Sequence, residues 1–334
     1  MPITLADIAA RADVSLSTVS RVLNNKEHVS LGTRNAVLEA VSTLGYTRQD
    51  ARREGNLETV ILFVHEGSAV RASDGTMAQD MERAIVAGVQ STLHAEGYHT
   101  QLVHKQFGKT KNFELPRVSN LVGAISVGSI SNPHLLRKMI EDGVPTVIAG
   151  SPSPDIPLDS VTLDFRGAML EIVQHLKETG RRTIGMVNGP PLAGSTLARI
   201  HAFRLALAMH DLPFTSEQVV SGTFSFSSGD ATTHELLAAC PQVDAILYGD
   251  DDMAVGGLRA LRGMGRTVPN DIAVVGMFNY EIATFTDPPL TSVDFDKREL
   301  GRAAAQRLMM RLHVKEGPPW SITLPTQLIV RASA

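Results

Sequence analysis

The chain has a single cysteine, Cys240, in 334 residues, and aromatic residues make up only 5% of it. One thiol excludes an intrachain disulfide framework and fits a reducing compartment; a buried apolar role suits Cys240 better than that of a nucleophile. No long apolar run precedes Asp7, and none later reaches the length needed to cross a bilayer, so neither a signal peptide nor a membrane contact is expected and the expected location is cytoplasmic. Motifs that would announce an enzyme are missing as well: no G-x-x-x-x-G-K-[ST] phosphate loop, no G-x-G-x-x-G, no G-x-S-x-G elbow and no H-E-x-x-H. The eleven histidines are scattered without a ligand-spaced pair. The run Asp250-Asp251-Asp252 offers hard oxygen ligands, but three consecutive carboxylates rarely converge on one ion, and the run stands where a helix would need an N-cap. No metal and no cofactor are therefore expected.

Hydrophobic residues at 43% with few aromatics describe an aliphatic-cored chain, long enough for two or three domains. The net charge of −4 is unevenly spread: residues 1–57 carry seven Lys/Arg against six Asp/Glu, a net of +1, which leaves −5 for the rest. A mildly basic head on an acidic body suits a reader of nucleic acid that depends on placement more than on bulk charge.

The head is where the pattern is sharpest. Thr4 followed by Asp7 is a capping-box variant that starts a helix near Leu5, and Ile8, Ala9 and Ala12 give it a small apolar face. Asp13-Val14 makes a turn, and Ser15 can cap a second helix in which Val19, Val22 and Leu23 recur at i, i+3 and i+4. Leu16, Ser17, Thr18, Ser20 and Arg21 are then left facing outward, which is the geometry of a helix-turn-helix that places its second helix in the DNA major groove. A third helix is expected over 31–43, with Val37, Ala40, Val41 and Leu44 inward and Gly45 as its stop. Residues 47–57 are polar, lack apolar periodicity and hold Arg48, Arg52 and Arg53, as a linker lying along phosphates or in a minor groove would.

These residues carry a resemblance. Val14, Ser15, Thr18, Val19, Ser20, Arg21, Val22 and Asn24, with Val29, Ser30, Thr33, Arg34, Leu44, Gly45 and Tyr46 beyond them, resemble the N-terminal signature of the lactose-repressor (LacI/GalR) family nearly residue for residue. What the resemblance implies is an N-terminal helix-turn-helix followed by a two-lobed, periplasmic-binding-protein-like α/β domain with parallel sheets. It implies a homodimer on a near-palindromic double-stranded operator, and a sugar-like effector bound between the lobes. DNA contacts would fall to Thr4, Leu5, Ser15, Leu16, Ser17, Thr18, Ser20, Arg21, Asn24, His28, Thr33, Tyr46, Arg48, Arg52 and Arg53. The boundaries expected are 1–46 for the DNA-binding domain, 47–57 for the hinge and 58–334 for the effector-binding and dimerisation domain. Within the last, lobe one is expected at 58–160 plus 294–317 and lobe two at 161–293 plus 318–330.

The pattern after Thr59 agrees with two α/β lobes. Strands are expected at 60–64, 100–103, 124–127, 146–149, 183–187, 245–248 and 272–275, and helices at 79–96, 133–142, 167–179, 197–210, 229–239, 252–264 and 298–312. Alternation of this kind implies parallel sheets covered on both faces, with a ligand cleft beyond the carboxyl ends of the strands.

For that cleft the resemblance points to His65, Arg199, Phe224, Asp250 and Phe278. Residues 195–203 resemble the segment whose arginine reaches the effector; Phe224 matches an aromatic stacking position, and Asp250 a position that bonds a ligand hydroxyl. There are departures too. Met277-Phe278-Asn279 stands where the family has an aromatic followed by an acidic pair, Gly150 replaces an acidic residue, and the loop 65–78 is longer than usual, with His65, Glu66, Arg71 and Asp74. Losing two carboxylates while keeping Arg199 makes the pocket less hostile to an anion, so an acidic sugar derivative is the first expectation, ahead of a neutral sugar, a disaccharide or a nucleoside. In the hinge, Arg48, Gln49 and Arg52 replace the family's Pro, Asn and Ala, and Gly55 its leucine wedge. Kinking by an inserted side chain is then lost, and affinity falls to the arginines. The expected function is a ligand-responsive repressor and not an enzyme; a small-molecule binding protein or an α/β enzyme without a role on DNA are the alternatives, opposed by the helix-turn-helix and by the missing catalytic constellation. The chain ends without a heptad tail, so nothing predicts a coiled-coil tetramer.

Overall fold

A computed structural model describes residues 3–23, 29–46, 58–66, 78–106, 118–128, 133–151, 156–191, 193–314 and 317–334, apart from the side chains at 65–66, 78–79 and 105–106. Asn24, His28, Arg48, Arg52 and Arg53, the hinge and most of the loop 65–78 lie outside the described residues.

The N-terminal unit is three helices: α1 (Leu5–Ala12), α2 (Leu16–Leu23) and α3 (Leu31–Leu44). Thr4 and Asp7 form the reciprocal capping box, with each side chain bonded to the other's backbone N–H. Asp13 turns the chain in the left-handed region (φ 53°), Ser15 Oγ accepts from Thr18 N at 3.2 Å, and Ser30 Oγ accepts from Thr33 N at 3.1 Å. Gly45 closes α3 at φ 67°, where a side chain would be strained. Ile8, Ala9, Val19, Val22, Val37 and Ala40 form the small core that holds the crossing, flanked by Leu5, Leu23, Val41 and Tyr46.

The rest forms two six-stranded sheets. The first runs β11-β5-β4-β3-β1-β2, using β1 (Thr59–Glu66), β2 (His99–Gln106), β3 (Leu121–Val127), β4 (Thr146–Ala149), β5 (Asp159–Leu163) and β11 (Ser321–Leu324). The second runs β12-β10-β9-β8-β6-β7, using β6 (Ile184–Asn188), β7 (Val219–Ser221), β8 (Ala245–Tyr248), β9 (Ala273–Met277), β10 (Thr291–Asp294) and β12 (Gln327–Ile329). All pairings are parallel except β10 with β12. Helices α4 (Ala78–Ala95), α5 (Pro133–Glu141) and α10 (Lys297–His313) cover the first sheet. Helices α6 (Phe165–Glu178), α7 (Gly194–Met209), α8 (Phe226–Ala239) and α9 (Asp251–Gly263) cover the second. Interior strands such as β4, β6, β8 and β9 are buried at every residue, as a sheet covered on both faces requires.

The chain passes between the sheets three times, at Asp164, at 295–296 and at 325–326. This corrects two expected boundaries. Residues 161–163 continue β5 and residues 321–324 form β11, both in the first sheet, so the crossings come later than 160 and 318. The physical reason is lateral pairing: β5 needs β11 beside it, and Asp164 N donates to Leu324 O at 2.9 Å to finish that pairing before either strand leaves. Asp159, at the start of β5, anchors the same edge. It is buried and takes Arg307 at 2.7 Å and Arg311 at 2.8 Å, with Trp320 N donating at 2.7 Å. Burial pushes the Asp159 carboxyl up, but these donors outweigh it and hold the group below the usual range.

Candidate functional sites

The outer face of the N-terminal unit follows from its inner one. With Val19 and Val22 buried, Leu16 is 54% exposed, Ser17 and Arg21 are exposed, and Thr18 and Ser20 are half-buried. The expectation that all five face outward is thus corrected for two of them: Thr18 and Ser20 flank the buried Val19 on a helix packed against both neighbours, so they are turned only partly outward. The hydroxyl of Ser15 bonds those of Ser17 and Thr18 at 2.8 Å each, which fixes the N-terminal turn of α2. Thr4, Leu5, Thr33 and Tyr46 are half-buried and Ser15 is exposed. The face is small, rigid and rich in donors, with an apolar contact at Leu16.

The second site lies at the carboxyl ends of β6, β8 and β9, where loops enter α7, α9 and the segment after β9. Arg199, in the second turn of α7, is 1% exposed. Its Nε donates to Asn188 Oδ1 at 3.0 Å; both Nη atoms are buried and find no hydrogen-bond partner among the described residues. Three rings surround the guanidinium, with centroids 5.6 Å (Phe165), 5.5 Å (Phe224) and 6.0 Å (Phe278) from its carbon. Burial pulls its pKa down to about 10, while the nearby Asp250 carboxylate holds it up; it stays a cation at neutral pH. Ser195 Oγ and Thr196 Oγ1, in the preceding turn, are also buried without a hydrogen-bond partner among the described residues. Asn188 is engaged at both ends, since its Oδ1 also accepts from Gly189 N and its Nδ2 donates to Thr196 O.

Asp250 caps α9 by accepting from Met253 N at 2.8 Å. Asp251, next along, turns away beneath the site: its two oxygens accept from Ser292 Oγ at 2.7 Å and Tyr280 N at 2.6 Å. Burial pushes Asp251 up to about 8, against those two hydrogen bonds, which lower it. Among the described residues no group of His, Cys, Asp and Glu is arranged to hold a metal ion.

Of the residues expected at the cleft, Arg199, Phe224, Asp250 and Phe278 are brought together; His65 is on β1, but its side chain lies outside the described residues. Asn188, Phe165 and Thr196 were not anticipated. Asn188 had a signal, a polar residue ending an apolar strand, where open α/β sheets bind ligands. Phe165 had none, because its place depends on where the chain crosses between sheets.

Residues 4–49 match the family model described as bacterial regulatory proteins, lacI family, and residues 173–334 match the periplasmic binding protein-like domain. The HTH-type transcriptional regulator CelR of Thermobifida fusca is 33% identical over 341 residues, covering 99% of this chain and 98% of that one. The chain belongs to the LacI family. Its α/β architecture recurs in a solved complex of CelR with cellobiose, at TM-score 0.72 and 31% identity over 99% of this chain and 100% of that one. The lac repressor dimer bound to operator and the anti-inducer ONPF matches at TM-score 0.67 and 25% identity over 100% and 99%. The protein is a DNA-binding transcriptional regulator, and the relatives it matches are regulators, not enzymes. No helix among the described residues is long and apolar enough to cross a membrane.

Proposed function

We propose that the protein is a dimeric repressor whose affinity for a near-palindromic operator is altered by a sugar-like effector held around Arg199. The observation that carries the effector reading is a buried guanidinium with two unpartnered Nη atoms. Leaving such donors unmet in the interior costs roughly 1–3 kcal/mol each, and an incoming acceptor would recover it. Phe224 offers a flat apolar face for a pyranose ring, while Ser195, Thr196 and Arg199 supply donors on one side. We take the effector to be an acidic sugar derivative. Asn279 in place of a carboxylate removes a repulsion, and the orphaned donors outnumber acceptors. A neutral disaccharide is the second reading, favoured by the charge of Asp250 beside Arg199 and by the cellobiose complex of CelR.

On the DNA side, Arg21 would pair with a guanine edge, Leu16 and Ser17 would read neighbouring base pairs, and Thr4, Leu5, Ser15, Thr18, Ser20, Asn24, His28, Thr33 and Tyr46 would fix register or contact phosphate. Arg48, Arg52 and Arg53 would add the salt-sensitive part. Two copies of the short α2 are needed for useful specificity, hence the dimer and half-sites about one helical turn apart.

Thermal shift of the full chain against gluconate, glucuronate, cellobiose and uridine tests the effector reading, since a ligand that binds only the folded state raises its melting temperature. A rise with either sugar acid supports the first reading. A rise with cellobiose alone transfers the proposal to neutral disaccharides, and a rise with uridine alone removes the sugar altogether.

A further inference from the structure

β6 ends in the fully buried Asn188, and the next residue, Gly189, has no room for a side chain. A β-carbon on Gly189 would lie 2.1 Å from Cζ of Phe224, and 2.4 and 2.8 Å from its Cε1 and Cε2. Carbon atoms that are not bonded pack at about 3.5–4.0 Å, so the tip of the ring already fills that space. The backbone at Gly189 is not in the left-handed region. Space, not conformation, therefore demands a glycine here. The ring has nowhere to retreat, because Phe224 is 3% exposed and packs in one apolar cluster with Val187, Val220, Tyr248 and Met253.

Gly189 serves the arginine as well. Its N donates to Asn188 Oδ1 at 2.9 Å, and the same oxygen accepts from Arg199 Nε at 3.0 Å. Gly249, which follows β8, presses close too: a β-carbon there would come within 3.2 Å of both Asn188 Oδ1 and Gly189 N. Gly189 and Gly249 thus make a floor of bare backbone. Asn188 holds the guanidinium beside it, and the Phe224 ring rests on Gly189 with its centroid 5.5 Å from the guanidinium carbon. One backbone position touches both halves of the stacked pair.

We infer that Gly189 is a positioning residue of the effector site, whose missing side chain seats Phe224 at its distance from Arg199 and so sets the apolar face offered to a ligand ring. The inference rests on the reading of the Arg199 site as the effector site. A methyl group at 189 would drive the phenyl ring off the end of β6. The guanidinium, held by Asn188, would stay, so ring and cation would no longer face a ligand together. A glycine needed only for the fold would change stability and leave ligand affinity alone. A seat for Phe224 makes the effects of the two residues depend on each other.

A double-mutant cycle on the full chain tests this, by calorimetric titration with gluconate and cellobiose. With whichever sugar binds wild type, Gly189→Ala should lose about 10-fold in affinity or more, and Phe224→Ala a similar factor. Together they should lose less than about 3-fold beyond Phe224→Ala alone, because the clash has gone with the ring. Unchanged affinity in Gly189→Ala, or losses that multiply in the double variant, would overturn the inference. If Gly189→Ala fails to fold, adding Phe224→Ala should restore folding; a double variant that also fails would overturn it too. Hydrogen exchange provides a ligand-free arm. Gly222 N donates to Asn188 O at 2.8 Å, and this amide should exchange about 10-fold faster in Gly189→Ala. In the Phe224→Ala background the same change should add less than about 3-fold. If wild type binds neither sugar, the effector reading falls, while the exchange cycle still decides whether Gly189 seats Phe224.

Discussion

The N-terminal unit and the interior of the second lobe handle polar side chains in opposite ways. Around α2 Val19 and Val22 are buried while Ser17 and Arg21 are set outside beside the exposed Leu16, on a scaffold held by caps and a core of six aliphatic side chains. Around Arg199 a charge, two hydroxyls and an acid cap are buried among aromatic rings. The first arrangement suits a large charged partner that brings its own surface to the protein. The second suits a small partner that enters and supplies missing acceptors. Polar groups that stay in water cost little until they bind, whereas polar groups taken inside cost stability at all times, which makes their retention informative.

If the outer face is only as good as the scaffold behind it, the largest effect should come from beneath it. Ile8→Ala removes a fully buried side chain from the small core of the N-terminal unit; we expect a loss of about 2–5 kcal/mol, enough to unfold the three helices locally. Circular dichroism with operator titration should show lost binding while the melting of the α/β body is unchanged.

Arg21→Ala probes the exposed side directly. It should cost about 1–3 kcal/mol of operator affinity and relax preference at one position per half-site, with no change in melting temperature. Equal weakening on specific and random DNA would make Arg21 a phosphate contact.

Arg199→Met is the counterpart in the interior. Lowering the guanidinium pKa to about 10 corresponds to burial costing the cation on the order of 3 kcal/mol, and methionine keeps most of the stem between the rings. The melting temperature should therefore stay level or rise. A fall of several degrees would mean that the arginine is there for stability and that the two regions differ less than argued.

The smallest effect concerns acidity. Asp251 is raised in the folded state to about 8, above its ordinary 3.8. The folded protein then holds a proton that the unfolded chain has lost, so this group's contribution to stability is full below about pH 4 and declines as pH rises toward 8. Asp251→Asn should flatten that part of the stability–pH curve. Asp159, held low by its arginines, acts in the opposite direction: its stabilisation is present above the ordinary carboxylate range and is lost on acidification.

Much of the molecule was legible before its structure. Caps, turns and periodicity placed α1 to α3, because helices this short are set by local chemistry. The strands that escaped were β5, β7, β10, β11 and β12, three to five residues long and carrying Asp, Ser, Thr or Gln. Such segments become strands only because a neighbouring strand accepts them, which local pattern does not record. The same limit applies to the site. Arg199, Phe224, Asp250 and Phe278 came from the resemblance, and Asn188 could have come from the strand-end rule. Phe165 depended on the crossing at Asp164.

The central claim is that a ligand taken up around a buried arginine controls an exposed DNA-reading face. The most direct measurement is operator affinity by fluorescence anisotropy for wild type and Arg199→Met, each with and without gluconate or cellobiose, at fixed salt. The expected result is a ligand-dependent shift of at least 5-fold in wild type that vanishes in Arg199→Met, with ligand-free affinities within about 2-fold of each other. A full ligand response in Arg199→Met would contradict the claim and move the effector away from Arg199.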